Sequence, residues 1–369
     1  MDIFKLIEIA KSRNASDIHL SADSPPLLRI DGALTQIKNF APVTADEVRL
    51  AFLELTTVAG FEKFQKTLEL DFKYILPDRT LLRCNVAQER GTLSLSIRIL
   101  PAAIPTIDEL QLPEICKDLC KLERGLILIS GPTGSGKTTT QAAMIQHINA
   151  HQTRHILTFE DPIEYSHPNI KSKITQRELG GDTFSFTEAL KHALRHDPDV
   201  IVVGEMRDSE TAAAVISLAE TGHLVITTGH APYAAQAIER VIDLFPYNER
   251  FLVQMRLASL LSAVLCQTLV PRLDDSGRIA VVEIMHVNAA IRNLIREGKI
   301  TLLANAIRDY GQNGNTTLDE ALVRYYDQGI ISMETVRKYC HDPEEITRLI
   351  TSMIVHSKNS YTKSLSSKV

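Results

Sequence analysis

The sequence predicts an α/β protein in two parts: a small mixed α/β domain over residues 1–100, then a doubly wound, mostly parallel sheet with helices on both faces. Three observations carry this. The 369 residues exceed one small module and suit two compact domains. Apolar runs at 126–129, 155–159, 200–203 and 224–228 alternate with helical segments, as strands covered on both faces do. Between the parts, Pro101-Ala102-Ala103-Ile104-Pro105 is uncharged and carries two prolines, which a helix interior excludes. The expected division is therefore 1–100, a linker at 101–105, a second domain over 106–356 and a tail at 357–369.

In the first part, Ile3, Leu6, Ile7 and Ala10 share a helical face, while 27–30 and 93–99 read as strands. Asp31-Gly32 and Pro77-Asp78 are expected turns, and 82–86 alternates like a half-exposed strand. In the second part a helix is expected over 139–148. Beyond residue 250 the chain reads as helical, at 251–268, 289–297, 318–327 and 332–340. The tail, 357–369, holds five serines and three lysines with almost no apolar surface, so disorder is expected there.

Composition excludes several classes. Hydrophobic residues make up 44% and charged residues 23%, the mix of a soluble globular protein. The net charge is −5, and residues 1–100 balance 13 basic with 13 acidic side chains, so the excess lies beyond them. No general cationic field exists to draw in a phosphate backbone, which argues against direct nucleic-acid binding. Five scattered cysteines without a C-x-x-C pair read as reduced thiols of a cytoplasmic protein. The amino terminus enters an amphipathic pattern without a signal-peptide core, and 252–270 carries Gln254, Arg256 and Gln267, so no transmembrane segment is expected.

Gly131-Pro132-Thr133-Gly134-Ser135-Gly136-Lys137-Thr138 satisfies G-x-x-x-x-G-K-[ST], with a strand before it and a helix after it. Backbone N–H groups and the helix amino terminus then converge on one anion site. Gly131, Thr133, Gly134, Ser135, Gly136, Lys137, Thr138 and Thr139 are expected around the phosphates of ATP, with Lys137 as counter-charge and the Thr138 hydroxyl on magnesium (Mg2+). Residues 199–203 form an apolar strand followed by Gly204 and Glu205, the Walker B position with glycine in place of the usual aspartate. Glu205 is expected to polarise water or contact magnesium; the residues alone also allow an ion pair with Arg207. Glu160-Asp161-Pro162-Ile163-Glu164 puts three carboxylates directly after a strand, either beside a cation, with Glu160 as a metal contact, or as a solvated turn. His223 and His230 flank the strand at 224–228; each is read as a nucleotide-facing donor or as a core or capping histidine. The spacings His147, His151, His155 and His192, His196 are set aside as metal sites: the first straddles a helix end and a strand start without a shared face, and the second lacks a third ligand.

Together these motifs resemble the secretion ATPase superfamily and, within it, the type IV pilus retraction ATPases of the PilT family, over residues 1 to about 340. The resemblance rests on the phosphate loop, the acidic box 160–164, Gly204-Glu205-Met206-Arg207-Asp208 and Glu220-Thr221-Gly222-His223 through His230. Ala290-Ile291-Arg292-Asn293-Leu294-Ile295-Arg296-Glu297, an ordinary surface helix by itself, is the stretch most particular to retraction members. Ala15-Ser16-Asp17-Ile18-His19-Leu20-Ser21 and Leu82-Arg83-Cys84-Asn85 are similar to that family's PAS-like domain. The resemblance implies a PAS-like domain before a RecA-like ATPase domain, Arg83 and Arg98 as arginine fingers, and Glu164 as general base. It also implies a homo-hexameric ring at the inner membrane, held there by a pilus platform protein. No four-cysteine module of the assembly ATPases is present. Gly229-His230-Ala231-Pro232 stands where the family has Leu-His-Thr-Asn, which leaves open an accessory retraction paralogue. A RecA-type nucleic-acid motor and a nucleotide-gated scaffold with weak turnover are the readings from other classes.

Overall fold

The computed structural model describes residues 1–353 apart from 31, 39, 79, 101–102, 275 and 312–313. The serine-rich stretch 357–369, Asp31 of the first expected turn, and Pro101 and Ala102 of the expected linker lie outside the described residues. The chain divides into two units, Met1–Ile104 with Glu164–Ser166, and Pro105–Ile163 with His167 onward.

The first unit runs α1 (Ile3–Ser12), β1 (Asp17–Ser21), β2 (Leu27–Ile30), β3 (Ala33–Gln36), α2 (Ala45–Leu55), α3 (Val58–Thr67), β4 (Glu69–Ile75), β5 (Leu81–Glu89) and β6 (Thr92–Ile99). Its strands form one antiparallel sheet in the order β3-β2-β1-β6-β5-β4. Helix α1 starts where the Asp2 side chain accepts from Lys5 N, and α2 where Thr44 and Glu47 close a reciprocal capping box. Ile3, Leu6, Ile7 and Ala10 are buried, as their spacing requires. Phe52 of α2 meets Phe64 edge-on, with ring centroids 5.2 Å apart.

The second unit continues with α4 (Ile115–Leu119), β7 (Gly125–Ser130), α5 (Lys137–His151), β8 (His155–Glu160), β9 (Lys173–Glu178), α6 (Phe186–Lys191), β10 (Val200–Val203), α7 (Ser209–Glu220), β11 (Leu224–Thr228), α8 (Ala234–Asp243) and α9 (Tyr247–Leu260). It ends with β12 (Leu261–Pro271), β13 (Arg278–His286), α10 (Ala289–Arg296), α11 (Leu303–Asp309), α12 (Leu318–Asp327) and α13 (Met333–Tyr339). The sheet order is β13-β12-β7-β11-β10-β8-β9. Only β13, against β12, runs antiparallel. Every residue of β7, β10 and β11 is buried, because helices cover both faces.

One expected element is corrected. The helix over 251–268 stops at Leu260, and the chain crosses directly into β12. The run Leu261, Ala263, Val264, Leu265, Cys266 is buried on both faces, so it shows neither a two-residue nor a helical period, and the pattern could not separate the two. Strands β1, β3, β4, β9 and β13 also add to those expected from the sequence. The four cysteines Cys84, Cys116, Cys120 and Cys266 are buried thiols, and Cys340 is half-buried.

Candidate functional site

Parallel strands β7, β11, β10 and β8 lie side by side and end at one edge of the sheet, so the segments after them converge there although up to about 100 residues separate them in the chain. The phosphate loop follows β7. Gly131 (φ +145°) and Gly136 (φ +86°) hold backbone conformations that side chains disfavour, and α5 begins after Gly136 with no side-chain cap on its first N–H groups. Thr133 and Gly134 are exposed at the tip, Ser135 is buried, and Thr138 and Thr139 are half-buried in the first turn of α5. Lys137 is buried, its Nζ donating to Gly131 O at 2.8 Å and Pro132 O at 3.1 Å. Burial holds its pKa below the ordinary lysine value.

Glu205, two residues past β10, is paired on both carboxylate oxygens. Its Oε2 lies 2.7 Å from His230 Nε2, and its Oε1 meets Arg207 Nε. The Arg207 ion pair allowed by the sequence is therefore present, and Arg207 reaches on to Asp161 Oδ2 at 3.3 Å. His230, just past β11, is held below the usual histidine pKa by burial and by the charges of Lys137, Arg240 and Arg207. With a proton on Nε2, the imidazole is placed to donate to Glu205. The segment after it is pinned to β7: Ser130 Oγ donates to Ala231 O at 2.7 Å and accepts from Ala231 N at 2.8 Å. Main-chain atoms of Ala231 thereby hold the 229–232 segment against β7.

Glu160 ends β8, buried, with Oε1 accepting from Thr158 Oγ1 at 2.6 Å and Gln176 Nε2 at 2.9 Å. Glu164 belongs to the segment grouped with the first unit. Arg83 and Arg98 are also in that unit, where strand register puts Lys73, Arg83, Arg98, Asp17 and Arg29 in one row across β4, β5, β6, β1 and β2. Arg98 Nε donates to Asp17 Oδ1 at 2.8 Å, and Arg83 is exposed. Asp17, between Arg98 and Arg29 in the row, balances both, at 2.8 Å and 3.9 Å.

Two expectations are corrected. His223 stands before β11, at the sheet edge opposite the loop; its carbonyl accepts from Gly125 N at the start of β7, and its Nδ1 lies 3.0 Å from Thr221 Oγ1. His147 and His151 do share a face, since α5 extends to His151 and their ring centroids are 4.3 Å apart. His155 points elsewhere, to Asp197 O and Thr175 Oγ1. Among the described residues no group of three or more His, Cys, Asp or Glu side chains could hold a metal. Sequence reasoning missed Gln267, buried beside the loop, whose one signal was a polar residue within an apolar run.

The profile of the type II/IV secretion system protein family matches residues 2–338. The chain belongs to this family. The family member is 41% identical over 344 residues to the type IV pilus retraction ATPase PilT of Pseudomonas aeruginosa, covering 93% of this chain and 99% of that protein. It is 35% identical over 350 residues to the type IV pilus ATPase PilU of the same organism, covering 95% and 91%. The crystal structure of the pilus retraction motor PilT with bound ADP superposes with a TM-score of 0.88 at 40% identity, over 94% of this chain and 99% of that one. This secretion-system protein therefore has the secretion ATPase fold, an amino-terminal domain followed by a RecA-like ATPase domain. No helix among the described residues is long and apolar enough to cross a membrane.

Proposed function

We infer that this chain is a P-loop ATPase that powers type IV pilus retraction and hence twitching motility. The observation that carries the reading is the meeting of the phosphate loop, Glu205 and His230 at one sheet edge, in a chain of PilT-like sequence over nearly its full length. Lys137 and the loop amides bind the phosphates, and Glu205, oriented by His230 and Arg207, directs the attacking water. Glu164 is the second water-activating carboxylate, and Arg83 and Arg98 complete the charge on the transferring phosphoryl group when the amino-terminal domain closes. Thr138, Glu160 and Glu205 carry the hard oxygens that magnesium prefers and would hold it together with the phosphates, Glu205 by giving up its contact with His230 or Arg207 or through a bound water. When bound, it neutralises charge on the β- and γ-phosphates. The working form is a homo-hexameric ring on the cytoplasmic face of the inner membrane, held by a pilus platform protein.

Greater identity to PilT than to PilU favours the retraction motor over the accessory paralogue. A nucleotide-gated scaffold is disfavoured by the Glu205–His230 pair, which a site that only binds nucleotide does not need. The test is magnesium-dependent phosphate release by the pure protein, abolished in Lys137→Ala, together with a deletion strain whose filaments extend but do not retract. Wild-type turnover in Lys137→Ala would remove the loop from the mechanism.

A further inference from the structure

Gln267 sits on β12, 2% exposed, and the reading above gives it no part. Both ends of its side-chain amide are spent on the phosphate loop and its helix. Nε2 donates to Ser135 O at 2.7 Å, and Oε1 accepts from Thr140 Oγ1, in the first turn of α5, at 2.7 Å. The rest of the residue closes on the loop as well. A Cβ on Gly131 would clash with Gln267 O, and one on Gly136 would lie 2.9 Å from Gln267 Nε2. Gly131 is thus required by the Gln267 main chain in addition to its own backbone angle, while at Gly136 the neighbour is the tip of the glutamine side chain.

The donor bond to Ser135 has a consequence for the loop's anion chemistry. In a planar trans peptide the C=O and the following N–H point in opposite directions. With the Ser135 carbonyl turned toward the Gln267 amide, the Gly136 N–H is turned away from it and left free for an anion in the loop. A buried amide is costly unless both its groups are bonded, so this glutamine favours the one loop shape that satisfies it. We propose that Gln267 is a positioning residue that fixes the Ser135–Gly136 peptide and so sets the affinity of the loop for the phosphates of ADP and ATP. The proposal rests on the reading of residues 131–138 as the phosphate site.

Three variants of the full chain separate the contacts. Gln267→Glu keeps the acceptor for Thr140 and sets a carboxylate against the Ser135 carbonyl, Gln267→Leu removes both bonds at similar volume, and Thr140→Val removes only the helix arm. Titration with fluorescently labelled ADP, alongside kcat and KM for ATP, should show affinity weakened at least tenfold in both Gln267 variants. KM should rise more than kcat falls, and the loss in Thr140→Val should be under threefold. Lys137→Ala is the reference. If it loses ADP binding while folded Gln267→Glu and Gln267→Leu bind like wild type, the proposal fails and the loop reading stands. If Lys137→Ala also binds like wild type, the loop reading itself fails. A purely structural role would lower the melting temperature and leave the dissociation constant of the folded protein unchanged. Should both variants misfold, Gln267→Asn, one methylene too short for both partners, carries the same test: weakened ADP binding supports the proposal and wild-type binding overturns it.

Discussion

Replacing Glu283 by alanine should loosen the segment that follows His230, because this carboxylate starts two helices at once. Glu283 lies on β13, 7% exposed; Oε1 accepts from Ala234 N, the first residue of α8, at 2.7 Å, and Oε2 from Leu318 N, the first of α12, at 3.3 Å. Tyr233, at the cap of α8, supplies no side-chain hydrogen bond of its own. Alanine would leave two buried helix-terminal donors without this acceptor, at about 1–3 kcal/mol each. Partial relaxation and relief from burying a carboxyl group reduce the sum to about 3 kcal/mol. At about 2–4 °C per kcal/mol for a unit of this size, Tm should fall by about 6–12 °C, measured by calorimetry. The pH dependence has a definite sign. Burial raises the Glu283 pKa from 4.5, against the two backbone bonds and His341, which lower it, while Asp319 adds to the rise. Above 4.5 and up to the raised folded pKa, the folded chain keeps a proton that the unfolded chain has released, so stability falls as pH increases through that window. Glu283→Gln should remove that slope. A Glu283→Ala protein melting within about 2 °C of wild type would refute the double-cap argument.

Two further predictions concern the chemistry. Glu205→Gln and Glu164→Gln should each leave ATP affinity within a few-fold and lower phosphate release by about 10²-fold; loss of binding instead would assign the residue to nucleotide or metal retention. Arg83→Ala and Arg98→Ala should slow hydrolysis and blunt any ATP-driven change in fluorescence transfer between labels in the two domains. Normal rates and normal motion in both would end the arginine-finger assignment.

The phosphate loop was legible in the sequence because its chemistry is local: glycines at fixed spacing, then Lys137, act within one turn between a strand and a helix. The buried strands at β7, β8, β10 and β11 were legible for a related reason, since their short apolar runs were bounded by breakers and alternated with helices. β12 was not, because a strand buried on both faces that continues straight from a helix offers no period to distinguish it. The two histidines make the same point within the site. His223 and His230 flank one strand and looked equivalent as donors, yet seven residues of extended chain at about 3.3 Å each carry them to opposite edges of the sheet. Only the direction of β11 between β7 and β10 decides that His230 meets Glu205 and that His223 does not. Gln267 is the extreme case: it stands 132 residues from the Ser135 carbonyl it holds, and no spacing rule links them. Sequence by itself determined which segments could bind phosphate, because that depends on neighbouring residues. Tertiary structure decided which distant side chains complete and hold the site, because strand order and direction are properties of the whole sheet.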